Sequence, residues 1–457
     1  MFIGSAFNMP WGSRRNHQPN ANGNDNGKFS NANRNRKNYS SPWKQKIAQQ
    51  RKSLPIASVE KRLIEEVRKN DILIIVGETG SGKTTQIPQF LFDAEFCRDG
   101  KVIGITQPRR VRRQIKYMTI GLLLREALLD PYLSKYSVII VNEAHERTVH
   151  TDVLLGLLKC VQVARSNSIG DGRNLNNGNK SSPLKLIIMS TGLDARTFSE
   201  YFGDAKAVHI QGRQFPVDLF YTRFPETDYL DVALITIFQL PEGSQKLLPV
   251  PIFASLPSEQ QMRAFAPTPF GFRKVILATN IAETSIMIPG IKYALQRSGR
   301  AGREGPGKCF RLYPENEFEK LEDSTMPEIK RCNLDNVILQ LKALGVYDII
   351  GFDFIEKPSR TTIVKSLEQL FLLGALTDEC QLSDPVGWQM ARLPLDPIYS
   401  KALILASEYN CSEEMLITFA MLSVESIFYT PRDKYEEVRT ATKCFASPER
   451  ATTTKKP

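Results

Sequence analysis

The octapeptide Gly77-Glu78-Thr79-Gly80-Ser81-Gly82-Lys83-Thr84 has the residue types and spacing of a phosphate-binding loop. Its glycines let backbone N–H groups converge on a phosphate, Lys83 can reach the β- and γ-phosphates, and Thr84 offers a hydroxyl to Mg²⁺. The apolar run Ile72-Leu73-Ile74-Ile75-Val76 precedes it, and a helical stretch from Thr84 to about Phe92 follows. That strand–loop–helix context is what the chemistry requires. The expected ligand is a nucleoside triphosphate with Mg²⁺, held by all eight loop residues. The loop does not by itself separate kinases, GTPases and motor ATPases.

A second apolar run, Val138-Ile139-Ile140-Val141, leads directly into Asn142-Glu143-Ala144-His145. Polar groups at that strand end would face the nucleotide, residue 142 on the metal and Glu143 on the attacking water. With this tetrapeptide the chain resembles the DEAH-box family of RNA helicases. Further segments resemble that family's motifs, in the same order. Thr106-Gln107-Pro108-Arg109-Arg110-Val111 is similar to the first RNA-gripping motif, Ala278-Thr279-Asn280-Ile281-Ala282-Glu283-Thr284-Ser285 to motif V, and Gln296-Arg297-Ser298-Gly299-Arg300-Ala301-Gly302-Arg303 to motif VI. The resemblance covers roughly residues 42–445. The lead-in from Pro42 to Leu54 resembles the stand-alone subgroup, with plant forms similar to the nucleolar animal ones.

The resemblance implies ATP and Mg²⁺ as cofactors and single-stranded or structured RNA as partner. It assigns Glu143, Gln296, Arg300 and Arg303 to catalysis, the two arginines as fingers on the γ-phosphate. Thr84, Asn142 and Glu143 would hold the metal, and Arg109, Arg110 and Thr279 would contact RNA. Ribosome-biogenesis or splicing factors are implied as partners, a monomer as the working unit, and the nucleus or nucleolus, or else the cytoplasm, as its place. Two other readings fit the same residues: a non-catalytic nucleotide- and RNA-binding scaffold, and a non-functional splice or gene-model product.

Those readings arise because the chain departs from the family pattern. Asn142 stands where the family has aspartate, which removes a negative charge beside Mg²⁺. Motif III, Ser-Ala-Thr in the family, reads Ser190-Thr191-Gly192, and Thr119-Ile120-Gly121 lacks the usual aspartate. Only eight residues separate Arg110 from Thr119, whereas a covered crossover between parallel strands takes at least about 10–12. Ten residues separate Ser285 from Gln296, too few for the family's strand, long hairpin and helix. Motif IV and the OB-fold of the family are not found.

The elements that must position these residues read as α/β: tandem RecA-like domains, the second incomplete, followed by a winged helix and a helical bundle. Apolar runs at 72–76, 102–105, 138–141 and 186–189 alternate with helical stretches, as in a parallel sheet covered on both faces. The domain expectation is a basic Asn-rich tail at 1–50, RecA-like domain 1 at 51–213 and a domain 2 remnant at 214–318. A winged-helix-like unit follows at 319–395, a truncated ratchet-like bundle at 396–445 and a polar tail at 446–457. Arg165 to Pro183 reads as a surface loop, and Cys380 to Leu395 as a β-wing.

Composition bounds the rest. The net charge is +11, and residues 1–50 hold eight Lys/Arg against one acid, Asp25. Such a tail, without periodicity, cannot bury enough surface to fold and can add attraction to phosphate backbones. No apolar run reaches the length of a membrane span, so no membrane partner is expected. Seven scattered cysteines without a Cys-x-x-Cys pair point to reduced thiols.

Overall fold

The computed structural model describes residues 49, 51–52, 54–78, 80–107, 114–170, 183–192, 194–212, 215–240, 246–253, 256–279, 288, 290–295, 301, 305–321 and 326–422. The basic tail at 1–48 and the end from 423 lie outside this set, as do Thr79, Arg109, Arg110, Gln296, Arg300 and Arg303.

The first unit is a parallel sheet in which alternate residues face opposite layers. Helix α1 (Glu60–Lys69) leads to strand β1 (Ile72–Gly77), and helix α2 (Lys83–Asp93) follows the loop. Next come β2 (Val102–Thr106), β3 (Ile115–Met118), α3 (Ile120–Leu129), β4 (Tyr136–Val141), α4 (Val149–Gly170), β5 (Lys185–Ser190), α5 (Ala195–Tyr201) and β6 (Ala207–Ile210). The strand order is β3-β2-β4-β5-β1-β6, and every pairing is parallel. Leu73, Ile75, Val138, Ile140, Ile187 and Met189 face one layer, where they meet Leu63, Ile87 and Leu91 of α1 and α2. Ile74, Val76, Ile139, Val141, Leu186 and Ile188 face the other, against α3, α4 and α5. Two covered faces explain why these strands read as unbroken apolar runs.

One sequence expectation is refined here and one corrected. The short interval after Arg110 contains a strand: β3 pairs in parallel with β2, Ile103 opposite Ile115. The crossover is short but its strand is retained: residues 107–114 join β2 to β3, and a segment of that length can span the roughly 13–16 Å back along a five-residue strand. The supposed loop beginning at Arg165 is helical as far as Gly170. Arg165 is buried and donates to the carbonyls of Tyr132 (2.7 Å), Tyr136 (3.0 Å) and Leu133. These bonds satisfy its guanidinium and tie α4 to the turn before β4.

The second unit is not one sheet. Strand β7 (Val217–Tyr221) is followed by helix α6 (Tyr229–Gln239), β8 (Lys246–Ile252), β9 (Phe272–Ala278), β10 (Tyr293–Leu295) and β11 (Gly307–Arg311). Among the described residues, strands β8 and β9 pair only with each other, and β10-β11-β7 form a separate three-stranded sheet. Asp228 caps α6 by accepting from the amides of Leu230 (2.8 Å) and Asp231 (3.1 Å), which satisfies two donors of the first turn.

Between residues 326 and 422 the α-helices are α7 (Asp335–Ala343), α8 (Arg360–Leu372), α9 (Val386–Arg392), α10 (Pro397–Glu408) and α11 (Ser412–Leu422). Gly345 and Gly374, at φ +84° and +72°, close α7 and α8 in the left-handed conformation that glycine tolerates. Ser359 caps α8, and Asp396 followed by Pro397 opens α10, each residue type suited to a helix start. The expected β-wing from Cys380 to Leu395 is corrected: one antiparallel bridge joins Leu376 to Leu382, and residues 386–392 are helical. Gly387 allows that helix to approach the Ala375 carbonyl, which a Cβ would strike. The helices do not stand apart from the sheet. Ile329, Leu334, Ile338, Leu341, Phe352 and Phe354 belong to the same apolar core as β4, β5 and α4.

Candidate nucleotide site

The phosphate loop lies between the ends of β1 and α2. Gly80 and Gly82 take φ of +92° and +95°, conformations in which an L side chain is strained. A Cβ on Gly82 would also come within 3.0 Å of Leu54 and Ile56, whose segment supports the loop through the Ile56 amide bonded to the Ser81 carbonyl (3.2 Å). Ser81 Oγ donates to the Glu78 carbonyl at 2.8 Å. Lys83, only 6% exposed, turns its ammonium back into the loop, donating to the carbonyls of Gly77 and Glu78, the latter at 2.9 Å. A buried ammonium held by carbonyl dipoles is poised to exchange them for phosphate oxygens, whose full charge makes the stronger bond.

Thr84 and Asn142 meet across the site. The Thr84 hydroxyl donates to Asn142 Oδ1 at 3.1 Å, and the Asn142 backbone N–H donates to Thr106 Oγ1 at 3.0 Å. Two neutral oxygens, one from the first turn of α2 and one from the end of β4, form a hard-ligand pair of the kind Mg²⁺ accepts with phosphate and water. The residues fit that cofactor, with one charge fewer than a carboxylate would give. Glu143 adopts φ +53° at the head of a 3₁₀ turn spanning Ala144–Glu146. Its carboxylate lies 3.6 Å from His145 Nδ1. Burial pushes the His145 imidazole below its ordinary value, so at neutral pH this contact is between a carboxylate and a neutral ring. Both ring nitrogens of His145 and the Ser190 hydroxyl are buried without a hydrogen-bond partner among the described residues. Polar groups left so at a nucleotide site are candidates to bond the reacting groups.

The structure thus brings together Gly77, Glu78, Gly80, Ser81, Gly82, Lys83, Thr84, Asn142 and Glu143. Thr279 follows β9, its amide directed to the Ile252 carbonyl at 3.4 Å, within the separate second unit. Gln296, Arg300, Arg303, Arg109, Arg110 and Thr79 are not among the described residues. Sequence reasoning missed Arg147, two residues past His145. Arg147 is 5% exposed and forks onto Asp152 with two bonds of 2.9 Å, while Nη1 donates to Glu356 at 3.1 Å. Asp152 lies near enough in sequence to suggest a partner. Glu356, 209 positions away, carries no local signal.

Residues 366–395 match the helicase associated domain (HA2), winged-helix, and residues 396–456 the helicase associated domain (HA2), ratchet-like. The chain is 56% identical to the pre-mRNA-splicing factor ATP-dependent RNA helicase DEAH10 of Arabidopsis thaliana, over 89% of this chain and 74% of that protein. The chain belongs to the DEAH-box RNA helicase family. Within that family it is also 39% identical to ATP-dependent RNA helicase DHX33 of Mus musculus (90% of this chain, 71% of the relative). It is 41% identical to pre-mRNA-splicing factor ATP-dependent RNA helicase prp22 of Schizosaccharomyces pombe (88% and 41%). Because 89% of 457 residues is about 407, roughly 120 of the 527 positions aligned with the Arabidopsis helicase face no residue of this chain. This chain is therefore shorter than that relative across the aligned region.

Proposed function

We propose that this chain is an ATP-dependent RNA helicase of the DEAH type whose nucleotide-binding half is built normally and whose hydrolytic step is slowed. The observation that carries the reading is the convergence of Lys83, Thr84, Asn142 and Glu143 at the ends of β1 and β4. Lys83 exchanges the loop carbonyls for β- and γ-phosphate oxygens as ATP enters. Thr84 and Asn142 hold Mg²⁺, which when bound neutralises phosphate charge. Glu143 orients a water toward the γ-phosphate and takes up its proton, beside the neutral His145 ring. Gln296, Arg300 and Arg303 complete the site from the second unit, and Arg109, Arg110 and Thr279 grip the RNA backbone.

The substrate class that fits best is nuclear RNA of the splicing or ribosome-assembly kind, given that two relatives are named as pre-mRNA-splicing factors. The chain acts as a monomer in the nucleus under this reading. A second reading, a nucleotide-responsive RNA-binding scaffold, is favoured by the neutral amide at 142. ATP turnover measured with and without single-stranded RNA separates the two. RNA-stimulated turnover that Lys83→Ala abolishes supports the helicase, and saturable ATP binding with no turnover supports the scaffold.

A further inference from the structure

The turn that carries Glu143 is bracketed by two non-glycine residues in the left-handed region, Glu143 at φ +53° and Arg147 at φ +46°. Each is disfavoured for an L residue and persists only when surrounding contacts over-determine it. Inside the turn the restraints are modest: the Glu146 amide bonds the Glu143 carbonyl at 3.1 Å, and the Arg147 amide bonds the Ala144 carbonyl at 3.2 Å. The strong restraints come from outside. Arg147 binds Asp152 of α4 bidentately and Glu356 from beyond α7. Lys330 closes the cluster on Glu356 at 2.5 Å.

The backbone of the same turn is gripped from the same quarter. The Glu328 amide donates to the Arg147 carbonyl at 3.1 Å, and the Glu328 carboxylate accepts from the Val149 amide at 3.0 Å. Around this polar centre Phe352 packs so closely on α4 that a Cβ on Gly156 would meet its ring at 2.7 Å. Lys159 bonds Asp353 at 2.7 Å on the next turn of α4.

We propose that Arg147 is a positioning residue for Glu143, and that residues 328–356 form the other half of its clamp, so that the C-terminal unit sets the orientation of the carboxylate. This rests on the reading of Glu143 as the water-orienting group. Arginine suits the task because its planar fork serves two carboxylates at once, whereas a lysine cannot bind Asp152 bidentately and still reach Glu356. The C-terminal unit thereby acts on the hydrolytic step without any contact to the nucleotide.

The test compares the full chain with Glu356→Gln and Arg147→Lys by amide hydrogen exchange, with ATP turnover alongside. The clamp predicts that the Glu146 and Arg147 amides exchange about tenfold faster in both variants, the loss of one charge-assisted bond, while amides of β1 and of α4 beyond Asp152 keep their protection. It also predicts that kcat falls while KM for ATP is unchanged. Unchanged exchange in the turn would overturn the proposal, as would acceleration spread evenly over β1 and α4, which marks general destabilisation. Glu356→Gln removes a partly exposed partner and leaves the buried Arg147–Asp152 pair intact, so it keeps the test decisive if Arg147→Lys fails to fold. A parent chain without turnover would count against the role given to Glu143, and the exchange result would still decide whether the clamp exists.

Discussion

At the scale of single residues, Asn142 is the departure from the family pattern that bears most directly on the proposed chemistry. Its amide oxygen occupies the position that bonds Thr84, so the geometry of the metal side is kept while the charge is lost. Asn142→Asp should raise RNA-stimulated kcat at least about tenfold, a lowering of the barrier by about 1.4 kcal/mol, with little change in ATP affinity. Steady-state kinetics of the two proteins checks this. The loop and the tetrapeptide were legible in the sequence because each carries its own spacing and lies after an apolar run. Arg147 was not, because its role depends on Glu356, which the fold alone brings within 3.1 Å.

At the scale of elements, strands buried on both faces announced themselves, and edge strands did not. β3 contains Lys116, whose ammonium pairs with Glu126 of α3, so its pattern broke the apolar run expected of a parallel strand. That pair has a pH consequence. Burial pushes the Glu126 carboxyl up, but bonds from Lys116, Tyr136 and Lys135 outweigh it and hold the group down at about 2. A depressed carboxylate contributes stability that is fully present above its unfolded value near 4.5 and is lost as pH falls toward about 2. Glu126→Gln should therefore flatten the acid limb of the thermal-midpoint profile between about pH 4.5 and 2, and lower the midpoint at neutral pH. Calorimetric scans across that range measure it. Helix α4 was under-read for a related reason: Arg165 and the polar residues after it read as loop, yet three carbonyls accept from its guanidinium.

At the scale of the whole molecule, the first unit and helices α7–α9 share one core, and among the described residues the strands of the second unit form two small sheets. Periodicity in the sequence marks which helices have apolar faces and is silent on what those faces meet, so this union was not legible. The shared core predicts that the sheet and helices α7–α9 melt together. Phe352→Ala should cost about 3 kcal/mol and move the far-ultraviolet transition and the fluorescence transition of Trp388 by the same amount. Two separated transitions would show that the core is not held in common.

Under the proposed function the site at Gly77–Thr84, completed by Asn142 and Glu143, binds ATP and hydrolyses it in response to RNA. The most direct test is phosphate release by the purified full chain with Mg²⁺ and ATP, with and without single-stranded RNA, beside Lys83→Ala and Asn142→Asp. Slow turnover that RNA stimulates is expected, with none in Lys83→Ala and faster turnover in Asn142→Asp. Turnover that survives Lys83→Ala, or none in the parent and in Asn142→Asp alike, would contradict it.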